Sequence, residues 1–64
     1  MSDTREEPDD RCVEAAKLYA EGERLEAQRE YRRALEYYEK SLRLHYDDAV
    51  GAARLRMLAA IGPK

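Results

Sequence analysis

The residues of this chain that could do chemistry are few: His45 with Asp47 and Asp48 close behind it, a single Cys12, five tyrosines, and Arg54 on an otherwise apolar stretch. A catalytic histidine needs a nucleophile or carboxylate converging on it, and nothing in the sequence specifies one. His45 falls instead on the core stripe of a helical pattern, near the end where a histidine is favourably placed. Asp47-Asp48 could suggest a cation site, but two acids just ahead of a helical run are accounted for as an N-cap and a first-turn acid. Cys12 sits near a helix start and reads as a small packed residue. One cysteine closes no internal disulfide, and one cysteine with one histidine makes no metal-ligand set. Neither an enzyme nor a cofactor is expected. Five tyrosines without phenylalanine or tryptophan are another matter, because amphipathic rings recur at protein interfaces.

The element that must position most of these residues is Tyr31–Tyr46, YRRALEYYEKSLRLHY. At 3.6 residues per turn, Tyr31, Ala34, Leu35, Tyr38, Ser41, Leu42 and His45 share one stripe. The opposite face carries Arg32, Arg33, Glu36, Glu39, Lys40 and Arg43. Glu36–Lys40 and Glu39–Arg43 have the acid N-terminal at i,i+4, the better order, worth roughly 0.3–0.5 kcal/mol each. Tyr37 and Leu44 lie seven residues apart and off the main stripe, so the helix has two apolar faces. That suits the middle helix of a small bundle packing on both neighbours; the alternative is a face held open for a partner.

Sixty-four residues allow one domain with a small core. A net charge of −2 with 41% charged residues of mixed sign describes a solvated surface without the clustered basic face of a nucleic-acid binder. There is no apolar run long enough to span a membrane and no basic-then-apolar leader, so a cytoplasmic setting is expected. Charge is unevenly spread: residues 1–14 hold six acids and two bases, and residues 49–64 three bases and no acid. This asymmetry favours neighbouring chain ends or head-to-tail contacts between chains, though such contacts are screened within about 8–10 Å.

In chain order, residues 1–8 read as a disordered acidic lead-in ending at Pro8. A domain over residues 9–62 follows, all-α, with helices predicted over about 10–27, 31–45 and 48–61. In the first helix Cys12, Ala15, Leu18, Gly22 and Leu25 repeat at steps of three and four. Val13, Ala16, Ala20 and Ala27 form a shallower stripe. Gly22 costs about 1 kcal/mol in a helix interior relative to alanine, and close approach of Tyr38 is the reason expected for it. Ala27-Gln28-Arg29-Glu30 contains no Gly, Asn, Asp or Pro, and propensity alone lets one helix run from Asp10 to His45. A turn is nevertheless expected there, because a continued heptad puts Glu26, Arg29 and Arg33 on the seam. The third helix restarts at Asp47-Asp48 and stops at Gly62-Pro63. Only Arg54 and Arg56 are charged across residues 49–61. Val50, Ala53, Met57 and Ala60/Ile61 form one stripe, with Leu55 and Leu58 on another. It reads as a helix buried on more than one side.

From Leu18 to Tyr46 the chain resembles a tetratricopeptide repeat (TPR), a helix–turn–helix unit of about 34 residues. Tyr31, Ala34, Tyr38 and Ser41-Leu42 keep the spacing of that family's second helix, and Gly22 sits at its small-residue position. Glu21, Arg29 and Tyr46 depart from it, standing where the family has Leu, the turn Gly and the closing Pro. The same residues are similar to the first two helices of MIT (microtubule-interacting and trafficking) domains. Glu21, Glu26 and the three-helix length suit that pattern better. Both resemblances imply a non-catalytic adaptor that binds a peptide or helix segment of another protein. The expected architecture is an antiparallel hairpin plus a third helix. The expected site is a groove between helices two and three, lined by Tyr37, Ser41 and Leu44 against Val50, Arg54, Leu55 and Leu58. The alternative is self-association, a homodimer through the apolar third helix. Neither nucleic acid nor membrane insertion is expected.

Overall fold

The structure, a computed structural model, describes residues 10–62. The expected lead-in lies outside them. Three helices follow one another: α1 (Asp10–Ala27), α2 (Tyr31–Leu44) and α3 (Asp48–Ile61). α1 packs on α2 and α2 on α3, an all-α arrangement. Ala15 meets Ser41 and Gly22 meets Tyr38, so the first two helices are antiparallel. Glu39 meets Arg54, and Ile61 shares a recess with Tyr31, so the third reverses again. No helix among the described residues is long and apolar enough to cross a membrane.

The turn forms where no turn residue marks it. Glu30 N–H donates to the Leu25 carbonyl and Arg29 N–H to that of Glu26, both at 2.9 Å. This crossed pair is the Schellman end of a helix, and it requires a left-handed residue at Arg29, whose φ is 67°. Glycine usually fills that position. Here the two hydrogen bonds and the packing of α2 on α1 hold an arginine in it. An unbroken helix would strand the apolar stripes of both halves in water, and burial of those stripes outweighs a local cost of about 1–2 kcal/mol. Glu30 then starts α2 with no side-chain cap of its own.

The second connection is marked in the sequence. Asp47 has extended backbone and its carboxylate accepts from Ala49 N–H at 2.8 Å, capping α3. α2 stops at Leu44, one residue short of the expected end. His45 is extended and donates its N–H to the Ser41 carbonyl. It is exposed rather than partly buried, because the chain leaves the helix before its side chain turns inward. Gly62 ends α3 with φ 92°, a conformation reserved in practice for glycine.

The core runs along the seam of the three helices: Ala15 and Leu25 of α1, Ala34 and Tyr38 of α2, Val50, Ala53 and Met57 of α3. Tyr38 is wholly buried and its ring lies against Gly22, as the glycine implied. Tyr19 packs on the same ring at 5.6 Å between centroids, tilted by 45°. Ser41 is the buried polar residue of the core. Its hydroxyl donates to the Ala15 carbonyl at 2.8 Å and pins α1 to α2. The shallow stripe of Val13, Ala16, Ala20 and Ala27 faces solvent. Two expectations fail here. Cys12 is exposed at the first turn of α1 rather than packed. α3 is buried on one side only, since no described residue lies beyond it.

Candidate interaction surface

The apolar residues that the fold leaves uncovered lie mainly on α3. Val50, Ala53 and Met57 turn inward, so residues half a turn away must turn outward. These are Ala52, Leu55, Leu58 and Ala59, with Leu55 62% and Leu58 40% exposed. At the start of the helix the exposed Tyr46 ring lies over Gly51, extending the apolar surface. Neither arginine of α3 interrupts it. Arg54 Nε reaches Glu39 on α2 at 3.3 Å, and Arg56 Nη2 reaches Glu26 on α1 at 3.0 Å. Both guanidinium groups bend back toward the bundle and frame the face instead of crossing it.

Glu26 is the polar junction of the three helices. Tyr38 Oη donates to its Oε1 at 2.7 Å, and the Arg56 guanidinium spans both carboxylate oxygens at 3.0–3.3 Å. The hydrogen bonds from Arg56 hold the Glu26 carboxyl below the usual carboxylate range, and the Tyr38 hydroxyl adds to this against the opposing effect of burial. Burial and the facing carboxylate push the Tyr38 phenol well above its ordinary value. Tyr19 is raised too, first by its hydrogen bond with Glu23. Neither i,i+4 pair expected on α2 forms. Glu39 turns to Arg54 on α3 rather than to Arg43, and Lys40 sits over the Tyr37 ring of its own helix at 5.5 Å rather than beside Glu36.

Folding separates the seven residues of the expected groove. Ser41 and Val50 are buried and offer no surface to a partner. Leu44 lies against Glu14 and Leu18 of α1, and Tyr37, seven residues before it, shares that flank of α2. The cleft between α2 and α3 is lined by Glu39, Leu42, Arg43 and Arg54, more charged than apolar. Leu55 and Leu58 do not line it. The physical reason is angular. Tyr37 and Leu44 are some 140–160° around α2 from Leu42 and Glu39, the residues that meet α3, a spread one groove cannot gather.

Two further recesses gather residues that could do chemistry. One, of about 190 Å³ between α1 and the start of α3, brings Cys12, His45 and Asp47 to its rim around Ala15, Ala16 and Val50. No hydrogen bond joins those three side chains, and the Ser41 hydroxyl beneath them is committed to Ala15, so the recess holds no nucleophile–base pair. The described residues hold no group of three or more His, Cys, Asp or Glu arranged for a metal ion. The other recess, of about 290 Å³ at the opposite end of the bundle, gathers Arg29, Arg32 and Arg33 around Tyr31. Sequence reasoning passed over it. Arg29 is brought beside the α2 pair by the left-handed turn, and only the close spacing of three arginines hinted at it. Comparison of the chain with protein-family models, with curated proteins and with solved structures gives no match.

Proposed function

We propose that this chain is a non-catalytic protein–protein interaction module, an adaptor whose α2–α3 half, and chiefly the outer face of α3, takes an amphipathic segment of a partner protein. One observation carries the reading: Leu55 and Leu58 are exposed on a face without a charged side chain, while Arg54 and Arg56 are drawn off it into Glu39 and Glu26. Ion-paired arginines at the margins leave a dry centre with a polar rim, the usual anatomy of an interface. A left-handed residue where a TPR carries its turn glycine supports the TPR-like hairpin over the MIT-like alternative. A cytoplasmic setting belongs to the same proposal. A single helix face buries little area, so the affinity expected is in the micromolar range. The test is a chemical-shift titration with an amphipathic helical peptide bearing leucine anchors. Shifts should centre on Leu55 and Leu58 and vanish in Leu55→Glu. Shifts confined to α1, with Leu55 unmoved, would refute the reading.

A second reading, homodimerisation, rests on the same face. Two copies of α3 crossing antiparallel at Leu55 would bring Leu58 of one over Ala52 of the other, large against small. Molar mass measured at two concentrations separates the two: a mass that doubles with concentration, and stays single in Leu58→Glu, favours the dimer.

A further inference from the structure

Three arginines converge at one end of the bundle without carboxylate partners. Arg29, Arg32 and Arg33 line a recess with Glu30, Tyr31 and Ile61, and none of the three forms an ion pair among the described residues. Arg24, Arg54 and Arg56, by contrast, are each paired with a glutamate. Arg29 is kept at φ 67°, where glycine would sit without strain, and its side chain is what the strain brings to the patch. A long polyanion is a poor fit. The chain is net negative, the patch is one recess wide, and Glu30 stands within it. A short acidic segment fits.

The chain carries such a segment itself. Residues 1–9 contain Asp3, Glu6, Glu7 and Asp9 against Arg5 alone, and they lead into the start of α1. The arginine recess is at the other end of that helix, about 27 Å away for its 18 residues. Seven residues separate Asp3 from Asp10 and span at most roughly 25 Å, so only Asp3 at full stretch approaches the recess of its own molecule. Glu6, Glu7 and Asp9 fall well short. We propose that the Arg29–Arg32–Arg33 recess receives the acidic 1–9 segment of a second copy, joining molecules head to tail. Joined end to end, with donor and acceptor surfaces at opposite ends, the molecules make a heterologous contact that extends. Exposed ion pairs are individually weak, so the association is weak and salt-sensitive.

The experiment uses two full-length variants. Arg32→Glu/Arg33→Glu spoils the recess and keeps the acids; Asp3→Asn/Glu6→Gln/Glu7→Gln does the reverse, and neither touches the core. In about 20 mM salt, where charges act over some 20 Å, the wild type should show a mass rising steadily with concentration. Each variant alone should remain monomeric, and their mixture should stop at a one-to-one pair. In about 0.5 M salt, with a screening length near 4 Å, wild-type association should weaken about fivefold or more. Association that persists in Arg32→Glu/Arg33→Glu, or a wild type monomeric at low salt, overturns the proposal. So does association removed only by Leu55→Glu, an outcome that leaves the α3 face standing as the contact. Failure of Leu55→Glu to affect peptide binding, with head-to-tail assembly intact, would instead overturn the proposed function and spare this one.

Discussion

A Cβ placed on Gly22 would lie 2.6 Å from Cε1 and 2.7 Å from Cδ1 of Tyr38. The ring it would strike is wholly buried and held at its far end by Glu26, so it cannot swing aside. Gly22→Ala gains about 1 kcal/mol of helix propensity, yet it must push α1 off α2 or move the ring, an overpacking cost of about 1–3 kcal/mol. A net loss of stability is expected, larger for Gly22→Leu. Urea unfolding of the two variants checks the order; a more stable Gly22→Ala would mean the helices can part freely.

The turn predicts the opposite sign. Arg29→Gly removes the left-handed penalty of about 1–2 kcal/mol and gives back part of it through the more mobile unfolded chain. Stability should rise by up to about 1 kcal/mol, and Arg29→Val should lower it. If both variants match the wild type in thermal unfolding, residue 29 is not left-handed in solution.

Burial separates the two stripes of α3. Met57 is 2% exposed, and Met57→Ala should cost about 2–5 kcal/mol, enough to unfold much of a domain this small. Leu55→Ser, at a position 62% exposed, should stay within about 0.5 kcal/mol of the wild type. Circular dichroism melts of the pair read this directly. A strongly destabilised Leu55→Ser would show that the face is already covered.

The Glu26 junction gives stability a defined pH dependence. Its folded carboxyl is lowered, chiefly by Arg56, so the contribution is fully present above the ordinary glutamate value and is lost as pH falls through the lower folded value. Tyr38 is raised, so its contribution holds below the ordinary phenol value and is lost as the medium becomes strongly alkaline. Glu26→Gln should flatten the acid limb of a stability–pH profile, and Tyr38→Phe the alkaline limb. Unchanged limbs in both variants would show that the junction does not form.

The all-helical class, both ends of the third helix and most of each inward stripe were determined by the sequence alone, because periodicity and caps are local. Asp47 and Gly62 mark their boundaries through bonds to neighbours in the chain, and Ala34, Tyr38, Ala53 and Met57 repeat at helical spacing whatever they pack against. The glycine at 22 even named its partner. What only the tertiary structure decided is of two kinds. The turn at Arg29 exists because packing of two apolar stripes outweighs a backbone preference, a comparison no local signal contains. The surface left to a partner depended on which flank of α2 each neighbour occupies. That choice buried Ser41 and Val50, sent Tyr37 and Leu44 toward α1, redirected Glu39 to Arg54, and left Leu55 and Leu58 outside. A helical wheel gives the angles between residues, but only the placed helices say which angles meet water.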